Sequence, residues 1–548
     1  MDEMNKFIHP SRLTIFRTKE KMSNTIYYRP EWTCGRYNAE HNAALYYNLL
    51  EGMCYFFEDY SALVVSKILY ALRNTPISVA GISESTGVAQ ESIEPFLKDL
   101  SMLGLILDHI PTKEEVSDYR KQLGEIKNGQ ALMAASKTTR EKLPMDVSTA
   151  EMDYTDKVGG ITSVMFELTY RCSEKCIHCY NIGATRNNKE ESGRGLLHEL
   201  QLSDYKRIID ELYEEGLTKV CLSGGDPFSY PFVWEIIDYL YNKEVAFDIY
   251  TNGQRLIGNE QRLANYYPRL VGLSVYSNEA QCHDSITRIK GSLEKTISVM
   301  GCLSSLGVPL VVKCCIMRPN VTSYQAVKEL ARKYGAITQF ELNVTDSIEG
   351  DKCVSKYLRL KPELLDVVLR DDDTPMYVGQ EAPNYGGQVK DMKRNACGAG
   401  YNTFCITPDG ELIPCCAFHM SFGNLLEKSV KDIFYNSKLL KWWKDQTLYQ
   451  YEECGQHPYC DYCNLCAGNN YSQNGTPLKA AENNCYMAKC RYDLAKRLMC
   501  GEDSLDGKTI EECLLNINDE QIPLSSLRRE FDDNNGRWIN GVSQETLL

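Results

Sequence analysis

The sequence has no uninterrupted apolar run near the roughly 18 residues that a membrane-spanning helix needs, so no span is expected. Its opening, "MDEMNKFIHPSRLTIF", lacks the apolar core of a secretory signal, which points to the cytosol. Positive charge is short: 60 Lys and Arg against 74 Asp and Glu leave a net charge of -14. Such a balance argues against a protein whose task is to coat nucleic acid. No internal repeat is visible beyond an alternation of strand-like and helix-like runs. One further absence is local. "RCSEKCIHCYN", residues 171–181, sets three cysteines at C-x3-C-x2-C with no fourth nearby, whereas a structural zinc site takes four protein ligands.

What is abundant is cysteine. Twenty-three of them in a reducing compartment do not make a disulfide framework, so metal or redox chemistry is the better reading. Cys172, Cys176 and Cys179 form one tight group. Cys397, Cys405, Cys415, Cys416, Cys454, Cys460, Cys463, Cys466 and Cys485 follow late in the chain. Cys54, Cys221, Cys302 and Cys314 sit in apolar runs and read as small buried hydrophobes.

A chain of 548 residues suggests about three or four domains. Residues 1–24 read as a polar arm. From 25 to 110, short aromatic runs suggest strands, and "YSALVVSKILYALRN" then has helical spacing. "ISVAGISESTGVAQESIEPFLKDLSMLGLILDH" reads as helix, turn at Gly87, helix and a final apolar strand, a winged-helix pattern. Lys67, Arg73 and Lys98 stand there against Glu84, Glu91, Glu94, Asp99 and Asp108, so duplex binding is disfavoured and peptide docking or a structural role favoured. Residues 111–158 read as a linker helix. Six strand-like runs, from "ITSVMFELT" to "ITQFELNV", alternate with helical patterns over 159–350, which implies a parallel sheet closed as a barrel or partial barrel. Over 351–500 the periodicity gives way to cysteines and turn residues, as in a small metal-stapled domain. Residues 501–548 read as a polar tail. The expected fold class is α/β: a partial (β/α)6 TIM-like barrel with an N-terminal winged-helix domain and a C-terminal cysteine-rich iron-sulfur domain.

Cys172, Cys176 and Cys179 follow the first barrel strand, whose C-terminal end is the functional face of such folds. Packing cysteines on a helix are disfavoured by the polar Arg171, Ser173, Glu174 and Lys175 around them. A zinc site completed by His178 is disfavoured by reach, since His178 adjoins Cys179. Three thiolates suit a 4Fe-4S cluster with one iron open to an external ligand. "CSEKCIHC" resembles the CxxxCxxC motif of the radical S-adenosylmethionine (SAM) superfamily, whose fold is a full or partial β-α barrel. The resemblance implies that SAM chelates the open iron and is cleaved reductively to a 5'-deoxyadenosyl radical that abstracts hydrogen from a substrate. It also implies a cofactor site. "SGGDP" resembles the family's GGEP motif through Gly224, Gly225, Asp226 and Pro227. "YTNG" offers Thr251 and Asn252, "LSVYS" offers Ser274, and Tyr180 and Arg288 complete the candidates, with Arg288 as partner for the methionine carboxylate.

The later cysteines exceed one zinc site and suit two four-ligand clusters. "C…G-x4-C" at Cys397, Gly410 and Cys415, with "GNLLE" after it, resembles the SPASM domain, an extension carrying auxiliary 4Fe-4S clusters in peptide- and protein-maturing radical enzymes. Cys454, Cys460, Cys463 and Cys466 depart from the family's usual order, so no cysteine is assigned to a cluster. Cys405 is a candidate eighth ligand, while Cys416 is expected outside the iron set of Cys415. The N-terminal segment looks like the peptide-recognition domain of ribosomal peptide maturases. The combined expectation is an enzyme that installs a thioether or carbon-carbon crosslink in a ribosomally made precursor peptide (RiPP). Its expected partners are that peptide with its leader and an electron donor such as flavodoxin or ferredoxin, with no nucleic acid and no membrane. The rivals are a sulfatase-maturase-like or quinone-cofactor enzyme and, from another class, a winged-helix iron or redox regulator.

Overall fold

The computed structural model describes residues 25–120, 122–123, 147–181, 199–346, 353–378, 392–395, 397–451, 454–502, 505–521, 524, 529–532 and 537–540. The arm expected over 1–24 and most of the linker over 121–146 lie outside the described residues. Strands β1 (Thr33–Asn38), β2 (Ala43–Asn48) and β3 (Met53–Glu58) form an antiparallel meander. Helices α1 (Asp59–Ala71), α2 (Val79–Thr86) and α3 (Gln90–Met102) follow, with Gly87 in the left-handed conformation at φ 68°, where a side chain would add strain. Strand alternation sends Ala44 and Tyr46 into the helical core and Leu45 and Tyr47 into a second core against α4 (Val147–Val158). The final strand expected after α3 is reduced to one bridge, Leu107 to Tyr28. Leu105, Ile106 and Leu107 instead fill the two cores, which explains an apolar run without a ladder.

The expected partial barrel is present. Its strands are β4 (Ser163–Glu167), β5 (Lys219–Ser223), β6 (Ala246–Thr251), β7 (Leu270–Ser274), β8 (Leu310–Cys315) and β9 (Ile337–Glu341), parallel and in chain order. Between them run α5 (Leu202–Glu214), α6 (Val233–Asn242), α7 (Ala280–Thr287), α8 (Ser292–Ser305) and α9 (Tyr324–Lys333). Helix α5 shows why: Tyr205, Ile208, Ile209 and Leu212 fall on one face at helical spacing and all are buried. Val164, Phe166, Val220, Leu222, Phe247 and Ile249 pack outward into this helical layer, so alternation turns Glu167, Cys221, Asp248, Tyr250 and Lys313 to the concave face.

The cysteine-rich region is continuous with this sheet. Strand β10 (Thr403–Ile406) pairs parallel with β4 and antiparallel with β11 (Leu412–Ile413). At the opposite, N-terminal strand ends the barrel is closed by the first module: Glu151 of α4 accepts from Lys219 at 2.5 Å and from Tyr47 at 2.9 Å, and Arg269 pairs with Asp248. The region expected as a polar tail is anchored at its start. Asp519 accepts from Arg318 at 2.9 and 2.6 Å and pairs with Lys361 at 2.7 Å, long-range contacts with no sequence signature.

Candidate functional site

Residues 168–181 cross the C-terminal end of β4 as bends and a turn, not as a helix, so the packing-helix alternative for the cysteines falls. The loop is sewn to α7 by Lys175 N donating to Thr287 O and Ile177 N to Ile286 O, each at 3.0 Å. Cys172 Sγ accepts from Asn252 Nδ2 at 3.3 Å and from Glu174 N at 3.4 Å. The buried Glu174 receives the Ser292 hydroxyl at the start of α8. Ser292 Oγ lies 3.3 Å from His283 Nε2, and His283 Nδ1 accepts from Tyr276 N at 3.1 Å, so Nε2 carries the proton. Burial holds His283 neutral, pushing it down to about 4. Burial also raises Glu174 to about 7, opposed by its Ser292 hydrogen bond. Cys172, Cys176 and Cys179 lie within electrostatic reach of one another, and burial pushes up the Cys172 and Cys176 thiols. Zinc with bonds of about 2.3 Å would draw its sulfurs to roughly 3.8 Å apart. Among the described residues no three cysteine sulfurs lie within 4.8 Å of one another. His178 sets its ring against Tyr276 at 4.6 Å between centroids.

The strand-end motifs converge on this loop. A Cβ on Gly224 would stand 2.4 Å from Thr169 O, and one on Gly225 2.5 Å from Arg171 O and 2.6 Å from Tyr170 O. Glycine is therefore required by the backbone entering the cysteine loop. Asp226 is fully buried; Oδ1 receives Thr251 Oγ1, and the Asn252 N–H and the Ser229 hydroxyl also stabilise the carboxylate. Burial lifts it to about 6, with the Thr251 bond opposing. Pro227 opens a short 3-10 turn. Thr251 and Asn252 thus spend their side chains on Asp226 and on Cys172. Ser274 hydrogen-bonds Tyr276. Arg288 follows Thr287 with a left-handed φ of 60°, so the pairing of α7 with the loop sets its backbone next to the Lys175–Thr287 hydrogen bond. Tyr180 turns instead to the concave face, where its hydroxyl donates to Glu167 at 3.1 Å and meets Cys416.

The later cysteines sort into three places. Cys397, Cys415 and Cys466 feel one another's charge, and Cys397, Cys454 and Cys466 all act on Tyr451. Trp443 packs on Phe418 nearby in the chain's cysteine-rich region, its indole donating to Ala399 O at 2.7 Å. Cys460 sits in the turn Pro458–Tyr462, which packs on the helix Glu482–Met499; that helix carries Cys485, and Cys463 reaches its Asn484 O at 3.9 Å. Cys405, the candidate eighth ligand, lies inside β10, 1% exposed, opposite Met165, with Glu167, Cys416 and Cys415 within electrostatic reach. Cys221 shares that concave face, where burial pushes its thiol up, and Cys302 is exposed, so Cys302 is not the buried hydrophobe expected.

Residues 166–333 match the family model described as Radical SAM superfamily, and residues 397–467 match that of an iron-sulfur cluster-binding domain, SPASM. The chain carries a radical SAM domain and a SPASM domain. It is similar to the antilisterial bacteriocin subtilosin biosynthesis protein AlbA of Bacillus subtilis, 27% identical over 55% of this chain, and spans 66% of that protein. It is similar to the AdoMet-dependent heme synthase of Methanosarcina barkeri, 23% identical over 56% of this chain and 90% of that protein. It is also similar to the mycofactocin maturase MftC of Mycolicibacterium smegmatis, 26% identical over 58% of this chain and 81% of that protein. Streptococcus suis SuiB bound to S-adenosylmethionine aligns over 84% of this chain and 99% of its own at 16% identity and TM-score 0.48.

The residues of this radical SAM enzyme fit its 4Fe-4S and SAM cofactors. Three thiols share one loop without a fourth, and the buried Asp226 carboxylate, whose charge reaches Cys172, suits an ammonium group. Sequence reasoning missed Glu174, His283 and Ser292, which carry no motif and meet only when α7 and α8 pack beside the loop.

Proposed function

We propose that this enzyme matures a ribosomally made precursor peptide, joining two of its residues by a thioether or carbon-carbon bond with loss of two hydrogens. The observation that carries the reading is the open edge of the first module. Among the described strands β3 pairs with β2 alone, while the β1 edge lies against the barrel, with Cys34 Sγ donating to Glu244 O at 2.9 Å. Tyr55, Phe57 and Phe96 are half-buried along β3 and α3, and exposed Tyr60 stands 6.4 Å from Phe96 between ring centroids. An extended leader added to that edge would gain main-chain hydrogen bonds and side-chain pockets together. Kinship with AlbA and MftC, whose names speak of bacteriocin biosynthesis and mycofactocin maturation, supports a peptide substrate. The heme synthase does not share it.

In this reading Cys172, Cys176 and Cys179 hold the catalytic cluster. Asp226 takes the amino group of SAM and Arg288 its carboxylate, while Asn252, Glu174 and Ser292 hold the loop in place. Bound together, cluster and SAM supply a one-electron cleavage whose product abstracts a hydrogen atom from the substrate. Cys397, Cys415 and Cys466 belong to one auxiliary cluster and Cys460, Cys463 and Cys485 to a second, with Cys454 assigned to either; these accept an electron or bind a substrate thiolate. A flavodoxin or ferredoxin in the cytosol would supply electrons. The test is anaerobic reconstitution with a candidate Cys-containing precursor, expecting 5'-deoxyadenosine and a peptide lighter by two hydrogens. A first module that binds no leader would favour the sulfatase-maturase-like or quinone-cofactor reading.

A further inference from the structure

Three cations lie on the barrel strands or at their entry. Lys219 and Arg269 stand at the closed end, paired with Glu151 and Asp248. Lys313 lies further along, on β8 opposite Ser274, near the open end. Among the described residues it has no carboxylate within ion-pair distance, and its ammonium sits 3.7 Å from the centroid of the Tyr250 ring. That arrangement is built. A Cβ on Gly272 of β7 would stand 2.8 Å from Tyr250 Cδ1 and 3.3 Å from Lys313 Cε, so the bare backbone makes room for ring and stem. Nearby acids are engaged elsewhere. Asp248 holds Arg269, Glu341 Oε1 accepts from Leu342 N and Asn343 N at 2.8 Å each, and Glu167 receives Tyr180 at 3.1 Å and Tyr170 at 3.4 Å. Cys221 and Cys416 are the other groups whose charge reaches Lys313, and burial lowers its affinity for a proton.

A half-buried ammonium with no anion beside it loses hydration that a quadrupole restores only in part. It is a compact charge with three donors, suited to a carboxylate. We propose that Lys313, cradled by Tyr250 over Gly272, is a subsite for a carboxylate of the precursor peptide and selects an acidic group close to the position modified. The inference rests on the peptide reading and specifies its substrate. Two sources share this chemistry, an Asp or Glu side chain and the peptide's C-terminal carboxylate.

The test is a double-mutant cycle with the reconstituted holoenzyme and the candidate Cys-containing precursor of the modification assay. Wild type, K313M and K313R are compared on that peptide, on forms with each core Asp or Glu changed to Asn or Gln, and on the C-terminal amide. One neutralisation should raise the peptide KM roughly tenfold to hundredfold with the wild type, the range for a charge-assisted hydrogen bond, and add nothing with K313M. K313R should recover part of the loss. If the amide is the sensitive form, the terminal carboxylate is the ligand; if a core change is, the side chain. Iron content reports folding, and K313Q replaces K313M if iron is lost. Independent effects in every combination, or a change in the KM for SAM alone, overturn the subsite and leave the maturase reading standing. A wild type that modifies no peptide overturns both.

Discussion

Gly225→Ala tests whether the strand-end turn and the three-cysteine loop are one mechanical unit. The new Cβ would meet Arg171 O at 2.5 Å and Tyr170 O at 2.6 Å, where about 3.3 Å is the ordinary limit, so backbone must retreat by roughly 0.8 Å. Both obstacles are main chain, and no rotamer change relieves them. Two hydrogen bonds are at stake, Gly225 N to Thr169 O at 2.7 Å and Asp226 N to Arg171 O at 2.9 Å. Overpacking of about 1–3 kcal/mol and about 1 kcal/mol for each weakened bond give roughly 3–5 kcal/mol, concentrated at the residue before Cys172. Displacement of about 1 Å beside a reacting centre costs on the order of a hundredfold in rate. Peptide-independent SAM cleavage under dithionite should fall by about that factor, with reduced iron binding. Gly398→Ala is the control, since its Cβ meets nothing within 4 Å. A G225A enzyme with wild-type cleavage and iron would refute the coupling.

Replacing Cys172, Cys176 and Cys179 together by Ala should abolish SAM cleavage and remove only part of the iron; retained cleavage would refute the cluster assignment. Asp226→Asn should weaken SAM binding about tenfold, read by equilibrium dialysis, because a charged acceptor becomes neutral. Cys415→Ala should lower iron per chain, whereas Cys405→Ala should leave it unchanged; equal losses would place Cys405 among the ligands. Phe57→Asp should weaken leader affinity, and loss of iron in the same variant would point to a folding role.

The barrel was legible because its strands and helices carry unbroken periodicity: "PLVVKCCIM" and "SYQAVKELARKYG" announce β8 and α9 by themselves. The three-cysteine loop was legible for a different reason, since cluster ligands must lie close in sequence when one loop supplies them all. What stayed hidden depends on the third dimension. Nothing in "HDSITRIKGS" says that His283 and Ser292 brace Glu174, and nothing in "TFCIT" says that β10 joins the barrel sheet beside β4 and turns Cys405 inward. The glycines of "SGGDP" were visible, but their reason, a main chain within 2.6 Å of an added Cβ, required the fold.

The most direct measurement is mass spectrometry of both products from one anaerobic reaction containing reconstituted enzyme, SAM, reductant and a candidate Cys-containing precursor. The account predicts 5'-deoxyadenosine together with a peptide lighter by two hydrogens, both absent when Cys172, Cys176 and Cys179 are Ala. Cleavage that leaves every tested precursor unchanged in mass, or peptide modification that persists without those cysteines, would contradict it.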